Sequence, residues 1–177
     1  MIKRFVQFCD FLSRAGGILS GILTVVALIL IVAEIGVRTF FHGTLYITEE
    51  YSGYLMAAIT FFGLSFTLKE KAHIRMMFLF SVLKGNRRRI LEVYTYLVGV
   101  VFTGILSWTT FQFFWDSVVN KSRSMQLSET YLAIPQAVLP LGSALLCLQF
   151  LAEAVRTWVA PAEDNPAGKV ESASLGR

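Results

Sequence analysis

The 177 residues predict an all-α integral membrane protein with four transmembrane helices, and three observations carry that prediction. The first is the distribution of charge. The 16 Lys+Arg and 12 Asp+Glu leave four stretches with none: Ala15–Ala33, Tyr51–Leu68, Val93–Trp115 and Thr130–Ala152. These runs are 19, 18, 23 and 23 residues long, and a helix needs about 18 or more apolar residues to cross a roughly 30 Å hydrocarbon core. The second is composition: 55% hydrophobic residues, 15 of them Phe, and a mean hydropathy of +0.60. A soluble domain interrupts its apolar positions with charge every few residues. The third is the Lys and Arg tally of 3, 1, 7, 2 and 3 in the five segments outside the runs. That alternation follows the positive-inside rule and puts both termini and the central basic loop in the cytoplasm. The chain reads as one membrane domain over residues 1–160, with spans at about 15–41, 51–68, 93–115 and 130–152. Residues 161–177, polar and rich in small residues, read as a flexible cytoplasmic tail.

Each element has its own justification. In residues 2–14, Phe5, Phe8, Cys9 and Leu12 recur at helical spacing opposite Lys3, Gln7, Asp10 and Arg14. This predicts an amphipathic helix lying in the inner interface before the chain turns into the membrane. The basic start resembles a secretory signal. Yet the apolar run after it is longer than a typical signal core and has no small-x-small cleavage site before Glu34, so it reads as a retained first span. Glu34 lies about 28 Å from Ala15 along the helix axis, near the outer boundary. An acid at that depth is a functional candidate. Arg38, one turn on, can instead neutralise it and reach the headgroups. A proton carrier is expected to lack such a fixed cation, which favours a structural or interface role.

Thr48 can cap the second span, and Glu49 and Glu50 sit at its positive end. The same two acids also suit a docking patch on the outer face. Ala72–Leu83 is apolar on nearly every side but only 12 residues long, too short to cross, so it reads as an interfacial or partner-buried piece of the cytoplasmic loop. Lys84, Arg87, Arg88 and Arg89 read as a topology anchor that meets anionic lipid. In span three, Ser107, Thr109 and Thr110 are expected to bond their own helix backbone. Pro135 and Pro140 predict a kink in the outer half of span four, packed against neighbouring helices.

Several classes are excluded on the same grounds. The net charge of +4 and pI near 9.2 are topology signals rather than a nucleic-acid surface. Cys9 and Cys147 are too few for a disulfide framework. His42 and His73 fall on opposite sides of the predicted bilayer, so no metal or haem site is expected from one chain. No Lys lies within a span, and there is neither a phosphate-binding Gly-rich loop nor a nucleophile elbow. The sequence therefore predicts no cofactor and no enzyme.

Four motifs taken together resemble a known family. They are Glu34-x-x-x-Arg38-x-Phe40-Phe41, Tyr46-x-x-Glu49-Glu50, Gly63 with the later Ala72-His73-Ile74-Arg75, and Ile134-Pro135-x-x-x-x-Pro140-Leu141-Gly142. Their order is similar to that in the small membrane subunit (Q subunit, DctQ-type) of tripartite ATP-independent periplasmic (TRAP) transporters, over about residues 10–158. Family members often carry Val-Asp after His-Ile-Arg, where this chain has Met76-Met77. The resemblance implies a scaffold in the cytoplasmic membrane of a bacterium or archaeon. Its partners would be a large multi-span subunit that holds the sodium and substrate sites, a periplasmic binding protein that delivers an organic acid, and lipid. Glu34, Arg38, Tyr46, Glu49, Glu50, His73, Arg75, Pro135 and Pro140 are then the interface candidates. One alternative is an autonomous four-span proton-coupled exporter working through Glu34; a membrane enzyme using Glu34 ranks below both.

Overall fold

Inside hydrocarbon a backbone must satisfy its own N–H and C=O groups, and a helix does so within one segment. The computed structural model describes residues 2–44, 46–70, 86–126 and 128–159. These form α1 (Ile2–Phe41), α2 (Ile47–Lys69), α3 (Asn86–Val119), α4 (Ala133–Gln136) and α5 (Val138–Val159). The first three charge-free runs fall in helical stretches long and apolar enough to cross a membrane, and the fourth, Thr130–Ala152, enters such a stretch at Ala133, formed by α4 and α5 together. Among the described residues the β structure is a single antiparallel bridge between Arg123 and Tyr131. The segment Ala72–Leu83, with His73 and Arg75, lies outside the described residues, as do Lys84 and the tail 161–177. Arg87, Arg88 and Arg89 fall on the first turn of α3.

The chain does not turn between the amphipathic segment and span one. Residues 2–14 continue into the span as one 40-residue helix, about 60 Å long at 1.5 Å per residue. In its N-terminal part the face turned toward the other helices carries small residues. Cys9, Ser13 and Gly16 are buried, while Phe5, Phe8 and Phe11 stand exposed. The helical period is present, with small residues facing the bundle and the aromatic ones left exposed. Membrane helices associate through close packing of small residues, because lipid is as apolar as any side chain.

α5 is the hub. It packs along α3 on one side and along α2 and α1 on the other, while α1 and α2 pair antiparallel. Glycines set the closest approaches. A Cβ at Gly142 would stand 2.6 Å from Phe61 Cβ and 2.9 Å from its backbone carbonyl carbon, so α2 and α5 touch nearly backbone to side-chain root. Gly17 receives the ring of Phe66, and Gly99 that of Phe150. Leu68, Tyr96, Leu146 and Ala154 form the buried apolar cluster, with Leu64 and Phe150 packed on it. α1 ends at His42, which takes a left-handed φ of 50° and stops the helix.

Candidate functional site

Polar side chains gather at the two ends of the bundle. At one end, α1 presents Glu34 to α2. Arg38 Nη2 donates to Glu34 Oε1 at 3.1 Å, and Thr48 Oγ1 donates to Oε2 at 3.2 Å. The expected pairing with Arg38 is thus present, and Thr48 extends it between helices. Thr48 does not cap α2: the N-cap is Tyr46, whose side chain makes no capping bond. The Arg38 side chain is 68% exposed and that of Glu34 only 12%. The carboxylate is held inside and its cation reaches outward.

Glu50 departs from the expected acidic surface. It is buried, whereas Glu49 is exposed. One turn apart, Tyr54 OH donates to Glu50 Oε1 at 2.6 Å, and the Ser128 hydroxyl donates to Oε2 from the far side of the sequence. Ser128 also bonds Thr130 Oγ1 at 2.9 Å, which meets Tyr51 OH at 3.3 Å. Glu50 therefore anchors the connection between α3 and α4 onto α2. The described residues of that connection also bond one another. Ser124 N donates to Thr130 O at 2.9 Å, Leu132 N to Ser122 O at 3.1 Å, and Lys121 and Glu129 take left-handed φ values of 49° and 43°. Its tip is exposed, with Arg123 and Glu129 paired at 3.5 Å and Met125 bare to its surroundings. Tyr46 and Phe40–Phe41 are exposed beside the start of α2 and the end of α1.

The second cluster, at the opposite end, was not singled out from the sequence. Arg156 bridges two acids, reaching Asp10 Oδ2 and Glu153 Oε1 each at 2.5 Å. Gln149 Nε2 donates to Asp10 Oδ1 at 3.2 Å, and Ser13 Oγ donates to Gln149 Oε1 at 2.7 Å. Ser13, Gln149 and Glu153 are almost wholly buried. The available signal was Gln149, Glu153 and Arg156 at spacings of four and three, one polar stripe on an otherwise apolar helix.

In span four α4 and α5 are divided only at Ala137, which keeps right-handed helical angles and bonds Ala133 O at 3.1 Å, between Pro135 in α4 and Pro140 in α5. Pro140 offers no N–H to the turn before it, and it lines an apolar groove between α3 and α5. Below it Ser143 Oγ bonds Leu139 O at 2.8 Å and meets Thr110 Oγ1 at 3.2 Å. Thr109 and Thr110 bond the carbonyls of Ile105 and Leu106 at 3.0 and 2.8 Å, the back-bonding expected of them. Gln136 Oε1 is buried with no hydrogen-bond partner among the described residues. No group of three His, Cys, Asp or Glu among those residues could hold a metal ion.

Four long apolar helices, with their ionisable side chains bonded together at the bundle ends, define a multi-pass membrane protein of the helix-packing kind. The family model for tripartite ATP-independent periplasmic transporters, DctQ component, matches residues 27–160. The chain belongs to that family: it is a small membrane subunit of a TRAP transporter. No curated protein matches it.

Proposed function

We propose that this chain is the scaffold subunit of a sodium-coupled importer. It stabilises the large transport subunit and helps dock a periplasmic binding protein that delivers an organic acid of the dicarboxylate or sugar-acid class. The observation that carries the reading, beside family membership, is the Glu34 triad. A carboxylate held by a guanidinium at 3.1 Å and a hydroxyl at 3.2 Å is a fixed tie between α1 and α2. Transport needs polar groups or broken helices that hold cargo near the midplane. In this reading the cargo site belongs to the large subunit, and the small one widens the static frame around it.

The reading places the chain in the cytoplasmic membrane with both termini inside, as the basic-residue alternation requires. Tyr46, Glu49 and the Arg123–Glu129 tip then face the periplasm, and Arg87, Arg88 and Arg89 meet anionic lipid within the cytoplasmic leaflet. Of the two neighbouring acids, docking falls to the exposed Glu49, and Glu50 serves it by holding the tip in place.

Mild-detergent purification of the tagged chain from its native membrane tests the assignment, with mass spectrometry of what accompanies it. A large polytopic chain in near-equal amount is expected. Recovery of the small chain alone, from a preparation that keeps other membrane complexes intact, would overturn the scaffold role and return attention to Glu34 as a carrier. For docking, Glu49→Lys should slow uptake most at low salt, with the deficit shrinking as ions screen the charge. An equal rate at every salt concentration would remove Glu49 from the docking surface.

A further inference from the structure

The exposed face of α1 does not stop where the apolar run does. Through the span it shows Ile18, Ile22, Val25, Ile29 and Val32, each more than half exposed and three or four residues from the next. That is the spacing of one helix face. Ile2–Phe41 is one unbroken helix, so the same stripe continues toward the N-terminus as Arg14, Phe11, Phe8 and Arg4, all exposed. The register against α2 gives its depth. A Cβ at Gly17 would meet the ring of Phe66, and one at Gly16 the Phe62 carbonyl oxygen, so α2 ends, at Lys69 and Glu70, about level with Arg14. Those charges mark the edge of the hydrocarbon. Phe11 and Phe8 start about 4.5 and 9 Å beyond Arg14 along the axis, across a headgroup layer roughly 5–8 Å deep. Aliphatic, then aromatic, then basic is the order a lipid-facing helix shows as it leaves the membrane.

The charge of the stripe is of one sign. Asp10 is the one acid in residues 2–14, and its carboxylate is turned to α5, meeting Arg156 at 2.5 Å and Gln149 at 3.2 Å. Arg4 and Arg14 have no acidic partner among the described residues. We infer that this end of α1 binds an anionic phospholipid, its phosphate held by Arg14 and Arg4 and the upper part of its acyl chains against Phe8 and Phe11. A helical side chain leans toward the N-terminus of its helix, which carries the Arg14 guanidinium past Phe11 toward the headgroups. There a guanidinium can take a phosphate through two parallel N–H···O bonds. A protein helix fits this face less well. Where helices of this chain meet, glycine admits the neighbour, as at Gly17, Gly99 and Gly142, and none of the stripe residues named above is a glycine, alanine or serine. The inference depends neither on the scaffold role nor on which side of the membrane this end faces.

The purified protein, with any membrane chain that accompanies it, is placed in vesicles of phosphatidylcholine containing a minority of phosphatidylglycerol. It carries the photo-crosslinker benzoylphenylalanine at position 11, where the native ring is exposed and the change disturbs no packing. Adducts with phosphatidylglycerol should exceed its share of the vesicle by about fivefold for each arginine engaged. Arg4→Gln together with Arg14→Gln should return the adducts to the vesicle's own composition. Adducts in bulk proportion without those substitutions, enrichment that survives them, or adducts to protein alone would each overturn the inference.

Discussion

Arg156 touches Asp10 on α1 and Glu153 one turn back on its own helix, while Gln149 and Ser13 complete the bonding between the same two helices. Removing the guanidinium leaves two acids facing each other, one of them almost wholly buried. Breaking a fully buried pair costs about 3–5 kcal/mol. The Arg156 side chain is 36% exposed, so Arg156→Ala should cost less, roughly 1–3 kcal/mol, with solvent screening the remainder. Denaturant unfolding in micelles measures it, and stability equal to wild type would show the cluster to be incidental. At the other end of the bundle, Glu50→Ala should free the α3–α4 connection, because Ser128 loses its acceptor. The expected result is faster amide exchange at Ser124 and Leu132, whose N–H groups close that connection, with α2 itself unchanged. Glu34 and Arg38 were legible in the sequence because their partnership is local, four residues apart on one helix. Glu50–Ser128 and Asp10–Arg156 were not, since each joins residues far apart in the chain that only packing brings together.

At the scale of the element, the helices depend on positions where a side chain is missing. Gly142→Ala would drive a methyl to 2.6 Å from Phe61 Cβ and 2.9 Å from its carbonyl carbon. The backbone cannot yield as a flexible side chain does, so separating α2 from α5 should cost about 1–3 kcal/mol. Gly21→Ala meets nothing and should leave stability nearly unchanged. Comparing the two in one micellar unfolding assay isolates packing from the general effect of replacing glycine. Equal effects would mean that the α2–α5 contact is looser than the geometry requires. The helical period of residues 2–14 was readable, but which face turned inward was not. In water the aromatic face would be buried; against hydrocarbon that rule has no force, and Cys9, Ser13 and Gly16 meet the neighbouring helices instead.

For the whole molecule, the charge alternation predicts which side each loop occupies, and the structure offers a clean site to test it. By that alternation the connection between α3 and α4 is proposed to lie outside, and Arg123 is exposed within it. A cysteine placed there by Arg123→Cys should react with a membrane-impermeant maleimide in intact spheroplasts. The native thiols interfere little, Cys9 being buried and Cys147 partly so. Labelling that appears only after permeabilisation would invert the proposed topology.

The sequence by itself determined four crossings, because the lengths of uncharged runs are set against a bilayer of nearly constant thickness. It also carried, in four dispersed motifs, the family to which the chain belongs. The tertiary structure decided which helix stands at the centre, that Glu50 is an anchor inside the bundle end, and where an unfilled groove remains. In hydrocarbon, apolarity no longer separates an inner face from an outer one. The arrangement is settled by the fit of small residues to large ones and by polar partners far apart in the chain, which exist only after the helices meet.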